Sequence, residues 1–575
     1  MNIFDKIKQS KTKNLWTNYY TKEEWNFNLD DVSVYQFMES KANNYLNEYA
    51  YNYFGNEVTY KTFLKQIDLC SKAFKTSGIR KGEVVTICMP NTPEGVICFY
   101  ALNKIGAISN MIHPLSGEKE ILDYLNSTDS VMLVMIDLCY EKVKNILNKT
   151  KVREVVVVSA KDSMPFITSL GYSFTKGLKV EKPKRNEKKY IYYKEFIMRG
   201  YNYTKDTLKP MKKDDIAVIL HSGGTTGSPK GIVLTNGNFN SLATQSRTVF
   251  KRVEIGDRCL TIMPIFHGFG LGVSMHCPFC LGATCILIPQ FDSRKFDKLL
   301  KKYNPNVLLG VPTLYEALVN CNNINIDLKD IKYIISGGDI LSSSLEKKIN
   351  SYLEKHNSKE KINQGFGMTE CLAAVCLSYD KGSREGSIGI PFPGNYFKIV
   401  KPNTTTEVDF NTDGEICISG PTVMLGYLNN EKETNEVLRI HPDGRVWLHT
   451  GDMGYITEEG IIYYKQRIKR MIVTSGYNVY PSYVEKIIEQ HEAVLKCTVI
   501  GIEHKYKMEV PKAYIVLKNG YEPNLIVKNS IKKHCEKNLA KYSVPYEFEF
   551  RKSLPKTLIG KVDINKLKDE EKNPE

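Results

Sequence analysis

The densest concentration of potential ligand groups is "HSGGTTGSPKG", residues 221 to 231. Gly223, Gly224, Gly227 and Gly231 permit left-handed backbone and close approach of a ligand to the chain. Successive N–H groups can then face inward as an anion nest. Ser222, Thr225, Thr226 and Ser228 add hydroxyl donors, and Lys230 adds a compact positive charge suited to phosphate. These groups together point to a polyphosphate. The rival is the Walker A loop, which needs G-x-x-x-x-G-K-[ST] opening a helix. Here Pro229 precedes the lysine and Gly231 follows it. The flanking apolar runs, 216–220 and 231–235, read as buried strands, so the loop is expected to join strand to strand.

Four later segments also combine turn signals with polar groups: "QGFGMTE" (364–370), "HTGD" (449–452), "QRIKRMIVTSGYNVYP" (466–481) and "PKTLIGKVD" (555–563). Taken singly, each has a structural reading. Glu370 suits a helix N-terminus, Asp452 suits a turn, and Lys561 is one lysine among many. Their succession behind a phosphate loop favours a shared site.

The elements that must carry these groups alternate in type. "EVVTICMP" (83–90) and "SVMLVMI" (130–136) read as buried strands, and "TPEGVICFYALNKIG" (92–106) as the helix between strands. That order implies a parallel sheet in an α/β fold. Residues 159–205 are lysine-rich and break the pattern, so they are expected to form a surface excursion. Alternation resumes at 215 and runs to about 400. Short strands then predict a small β subdomain over about 400–468, and a compact α+β domain over 469–575. The apolar stretch 259–289 is interrupted by prolines, glycines and two histidines, which predicts a buried strand–helix–strand unit rather than a membrane span.

With 575 residues, 42% of them hydrophobic, the chain can bury large cores. Lysine and arginine number 79 against 64 acidic residues, a formal charge of +15. That excess is scattered. It lacks the basic stripe with interleaved aromatics of a nucleic-acid interface, so no nucleic-acid partner is expected, and only loose peripheral attraction to an anionic membrane is. The 14 cysteines form no CxxC pair, and several lie in apolar runs. They read as buried free thiols of a reducing, cytoplasmic compartment, without zinc.

In order along the chain, "SGGTTGSPKG", "GFGMTE", "GEICISGP", "TGD" and "PKTLIGK" resemble the signature segments of the adenylate-forming enzymes. That superfamily comprises acyl-CoA synthetases, peptide-synthetase adenylation domains and luciferases. The resemblance runs from about residue 30 to 565. It implies a large N-terminal domain of two α/β subdomains plus the β subdomain, followed by a small mobile C-terminal domain. It also implies ATP, Mg²⁺ and coenzyme A. By resemblance, Ser222, Gly223, Gly224, Thr225, Thr226, Gly227 and Lys230 wrap the β- and γ-phosphates. Gly337, Gly338, Asp339, Phe366 and Gly367 line the adenine. Phe366 stands where tyrosine is usual, keeping the ring and losing the hydroxyl. Asp339 stands where alanine is common. Thr369 touches the α-phosphate and Glu370 holds Mg²⁺. Asp452 and Arg467 reach the ribose. Lys561 acts at the α-phosphorus. Lys469 is implied as a hinge, with Gly476 beside the pantetheine path. Gln466 and Tyr483 depart from the family pattern at the seat of the tail domain.

The segment "PIFHGFGLGVSMHCPFCLGA" (264–283) resembles the pocket-lining helix of fatty-acid and aryl-acid CoA ligases. It implies His267, Gly268 and Phe269, with Gly365, at the acid; His267 also reads as a core histidine. Gly268, Gly270 and Gly272 could leave room for an acyl chain. No aspartate that could hold an α-amino group lies between Ile262 and Pro289. The expectation is an acid–CoA ligase for a medium- or long-chain fatty acid, with an aryl or polycyclic acid, or acyl transfer to a carrier protein, as the alternatives.

Overall fold

In a computed structural model the described residues are 10–12, 15–166, 168–170, 181–183, 187–222, 230–321, 326–474, 477–504, 506, 508–557 and 561–572. They build a mixed α/β protein around four sheets. The first has eight strands. Its parallel centre is made by Val84–Cys88, Ile108–Met111, Met132–Ile136 and Glu154–Val158. The helix Pro93–Lys104 crosses over between two of these strands. Thr92 caps it, Pro93 opens it, and every residue in it is buried. Side chains such as Val96, Phe99 and Leu102 each contribute ~1.5–3 kcal/mol on such burial, which explains why an amphipathic pattern is weak here.

The strands that flank residues 223–229 lie on the other side of this sheet, with only the short strand Gly426–Tyr427 beyond them. Ile216–Ser222 pairs parallel with Ile108–Met111 and antiparallel with Lys230–Thr235, in a register that sets Ser222 opposite Lys230. The loop therefore joins strand to strand, as its flanks imply. Residues 223–229 lie outside the described residues, and with them Gly223, Gly224, Thr225, Thr226 and Gly227.

The lysine-rich excursion is corrected at its C-terminal end. Tyr190–Tyr192 is the edge strand beside Glu154–Val158, and the helix Tyr193–Gly200 buries Phe196. Gly200 is needed there: a Cβ would stand 2.4 Å from the Leu69 carbonyl oxygen. Charge composition concealed a short segment whose apolar residues still return to the core.

The second sheet has nine strands, and its centre runs Asn363–Phe366, Tyr333–Ser336, Val307–Gly310, Arg258–Thr261 and Thr284–Leu287. Between the last two, Phe269–His276 winds as a π-helix and continues as the α-helix Cys277–Leu281. This is the expected strand–helix–strand unit. No described helix is long and apolar enough to cross a membrane.

The third sheet is the small β subdomain: Tyr396–Val400, Gly414–Ser419, Leu438–Ile440, Val446–Ile456 and Ile462–Arg467. The fourth, in the C-terminal domain, holds Ile472–Thr474, Tyr477–Val479, Val494–His504, Met508–Leu517 and Glu547–Phe550. A single turn, Ile468–Arg470, links the third sheet to the fourth and carries Lys469. All 14 cysteines are free thiols, and all but Cys321 are buried.

Candidate active site

Asp452 owes its position to a break in strand pairing. Glu415 faces Met453 and Cys417 faces His449, so three residues of one strand oppose one of the other. The three are Thr450, Gly451 and Asp452, facing Ile416 in a bulge that re-aims the strand. Gly451 takes φ +69°, a conformation that suits glycine. The bulge is pinned from both sides. Thr450 Oγ1 donates to Ile416 O at 2.7 Å and accepts from Asp452 N at 3.1 Å. Glu415 accepts from Gly451 N at 3.1 Å and pairs with His449 Nδ1 at 3.0 Å. His449 in turn meets His441 through their Nε2 atoms at 2.9 Å. Cys417, His441 and His449 form a buried cluster. The two imidazoles bond to one another through Nε2 and His449 Nδ1 bonds to Glu415, while His441 Nδ1 is buried without a partner. The cluster is a brace behind Asp452.

The Asp452 carboxylate is 1% exposed, and its Oδ1 has no hydrogen-bond donor. Arg467, its cross-strand partner, brings Nε to 3.2 Å from that oxygen. Burial pushes the carboxyl up to about 6, with Arg467 pulling the other way. A buried acceptor without a donor is costly, about 1–3 kcal/mol. It suits a ligand that brings hydroxyls.

Lys561, from the C-terminal domain, lies within reach of the same charges. Its backbone closes a tight turn: Thr557 N donates to Lys561 O at 2.7 Å and Lys561 N donates to Thr557 Oγ1 at 3.2 Å. Burial lowers the ammonium pKa, and the charges of Asp339, Arg467 and Asp452 all act on it. The structure thus brings together Asp339, Asp452, Arg467 and Lys561 from three sheets' surroundings. Asp339 is exposed, just past the strand Tyr333–Ser336, with its own Oδ1 accepting from Ile340 N at 2.9 Å. Phe366 stands beside Tyr464, ring centroids 5.8 Å apart.

Thr369 and Glu370 lie in the single turn Thr369–Cys371. Glu370 is buried, and its Oε1 accepts from the Tyr427 hydroxyl at 2.9 Å. No lysine or arginine pairs with it among the described residues. Lys230, at the start of its strand, ion-pairs with Glu433 and lies 4.9 Å from the Tyr427 ring centre. Tyr427, Tyr464 and Glu433 were not singled out by sequence. Their signal was faint: "GYLNNEKET" (426–434) reads as a polar turn and short helix.

His267 lies just before the π-helix and is half-buried, with its Nε2 atom buried and lacking any partner. Burial first, then His113 and Lys561, lower its imidazole to about 4, so it is neutral at pH 7. It can donate a hydrogen bond but does not bring a charge. The glycines beside it are not open space, which corrects the expectation of room for an acyl chain there. A Cβ on Gly268 would meet Ala373 at 3.3 Å, on Gly272 Leu242 and Leu372 at 3.1 Å, and on Gly270 the Pro264 carbonyl oxygen at 1.9 Å. They let the π-helix pack tightly. Phe269 does reach the cleft wall, since Cβ atoms built on Gly337 would lie 3.6 Å from Gly365 O and 3.7 Å from the Phe269 ring. Gly476 lies outside the described residues.

The fold and the arrangement around Asp452 agree with the resemblance to adenylate-forming enzymes, and the family matches show that class. Residues 38–428 match the AMP-binding enzyme family, well over half the chain, and residues 483–561 match the AMP-binding enzyme C-terminal domain. The chain belongs to the AMP-binding enzyme family. It is 31% identical over 546 residues to a long-chain-fatty-acid–CoA ligase of Bacillus subtilis (strain 168), covering 94% of this chain and 95% of that one. It is 30% identical over 502 residues to a probable 4-coumarate–CoA ligase of Dictyostelium discoideum, covering 85% and 86%. Among solved structures, an anthranilate CoA ligase in complex with anthranoyl-AMP shares the fold with a TM-score of 0.80 at 24% identity, covering 94% of this chain and 98% of that one.

Proposed function

We propose that this chain is an ATP-dependent acid–CoA ligase acting on a medium- or long-chain fatty acid. The observation that carries this reading is the unsatisfied, buried Asp452 carboxylate beside Arg467, within reach of the Lys561 charge. A free carboxylate is a poor acyl donor, because its leaving group would be oxide. In-line attack of its oxygen on the ATP α-phosphorus expels pyrophosphate and gives an acyl-adenylate. A thiol then attacks the acyl carbon and AMP leaves.

In this reading Asp452 accepts from the ribose hydroxyls, and Arg467 orients the carboxylate. Phe366, Gly337, Gly338, Asp339 and Gly367 border the adenine. Lys230 and the loop behind Ser222 take the β- and γ-phosphates. Thr369 and Lys561 face the α-phosphate, where Lys561 offsets the charge that develops. Glu370 fits Mg²⁺: it is a buried carboxylate with one oxygen held by Tyr427 and no cationic partner among the described residues. Such an ion supplies positive charge against the triphosphate. Coenzyme A is the proposed thiol, with Lys469 as the hinge and Gly476 beside the pantetheine arm.

The fatty-acid preference rests on the Bacillus subtilis relative, which spans nearly the whole chain. An aryl acid is the second reading, supported by the Dictyostelium relative. Acid-dependent exchange of labelled pyrophosphate into ATP, without CoA, tests the first half-reaction. Exchange with medium- or long-chain fatty acids is expected, and absence of exchange with every carboxylate would count against the reading.

His267 gives a separate test. A neutral donor to the substrate carboxylate is worth ~1.5–3 kcal/mol. His267→Ala is therefore expected to raise the KM for the acid by roughly ten- to a hundredfold, with the KM for ATP little changed. Steady-state kinetics varying each substrate in turn checks this. Equal effects on both would return His267 to a packing role.

A further inference from the structure

The cleft holds one carboxylate that the proposed reaction does not use. Glu433 lies in the first turn of the helix Glu431–Val437. Its backbone N–H already donates to the capping Asn430 Oδ1 at 3.1 Å. The next residue, Thr434, fixes the helix to the strand before it: its Oγ1 donates to Asn430 O at 2.8 Å and accepts from Tyr427 N at 2.9 Å. The Glu433 side chain ion-pairs with Lys230 Nζ, with the side chain of the capping Asn430 also bonded to it. Lys230 also stands over the ring of Tyr427, whose hydroxyl is on Glu370. One lysine therefore lies between two carboxylates, Glu433 directly and Glu370 across the tyrosine.

We infer that Glu433 is a positioning residue for nucleotide binding: it holds Lys230 in the cleft as an exchangeable counter-ion, which the triphosphate must displace and which recaptures the lysine when pyrophosphate leaves. This rests on the proposed role of Lys230 at phosphate. The pair is built for exchange. Its side chains are 28% and 34% exposed, so the bridge contributes only ~0–1 kcal/mol to the fold. A fully buried pair could not be opened so cheaply. A triphosphate brings several charges against one carboxylate and wins the lysine. Glu433 then competes with the phosphates only through its pull on Lys230. The same competition acts on ATP entering and on pyrophosphate leaving.

The test is steady-state kinetics of the full chain. Glu433→Gln keeps the shape and removes the charge. The KM for ATP and the inhibition constant for pyrophosphate are both expected to fall by roughly threefold, the scale of a half-exposed ion pair. Glu433→Ala should move both constants in the same direction. In a Lys230→Met background, Glu433→Gln should no longer lower either constant. An unchanged or raised KM for ATP in Glu433→Gln overturns the inference. If Lys230→Met alone still raises the KM for ATP in that case, the phosphate reading of Lys230 stands. If Lys230→Met leaves the KM for ATP unchanged, that reading fails and the inference fails with it.

Discussion

Lys561→Ala is expected to slow acyl-adenylate formation by roughly a hundred- to a thousandfold, the scale for losing one preorganised group at a developing charge. The side chain is half-buried, with the charges of Asp339, Arg467 and Asp452 acting on it. Alanine leaves a gap in a cleft where water screens poorly what little charge remains. The turn at Thr557 that presents the residue uses backbone atoms and the threonine hydroxyl, so it survives the substitution. Thiol attack has no evident need of this lysine. Single-turnover pyrophosphate release should show the loss, and supplied acyl-AMP with CoA should still give thioester. If both half-reactions fall equally, Lys561 is not specific to adenylation.

Asp452→Ala should raise the Kd for adenosine and the KM for ATP by roughly a hundredfold or more. Two hydrogen bonds to a carboxylate are lost, each worth ~1.5–3 kcal/mol. Arg467 is also left without its partner. The wild-type carboxyl titrates at about 6, because burial outweighs Arg467. Below that pH the free protein holds a protonated Asp452, which has lost acceptor capacity. Adenosine affinity should therefore fall as pH drops through about 6, and should be flat in Asp452→Asn. Adenosine avoids the titration of the phosphates themselves. Calorimetric titration at a series of pH values checks both statements. A KM for ATP within threefold of wild type would remove Asp452 from the nucleotide site.

Local signals explain what the sequence revealed. The glycine–hydroxyl loop sits between β-branched runs, and pairing of Ile216–Ser222 with Lys230–Thr235 follows from those flanks. "HTGD" advertised Asp452, yet Asp452 taken singly read as a turn residue. The structure instead runs one strand, Val446–Ile456, through it. The bulge depends on Glu415, which is remote in sequence, and no local pattern reveals that contact. Glu433 and Tyr427 escaped for the same reason, since Lys230 and Glu370 reach them only through the fold. Composition misled over 190–200, where a short apolar strand and helix are embedded in lysines. The π-helix at Phe269–His276 is another such case. There Gly270 has no room for a Cβ against the Pro264 carbonyl, a close approach that the apolar run does not announce.

The most direct measurement is product stoichiometry with ATP, Mg²⁺, coenzyme A and a panel of carboxylic acids. The account predicts that fatty acids of medium or long chain give one AMP, one pyrophosphate and one acyl-CoA per turnover, and that omitting the acid stops AMP formation. ADP and phosphate as products, or no acid-dependent AMP with any member of the panel, would contradict it.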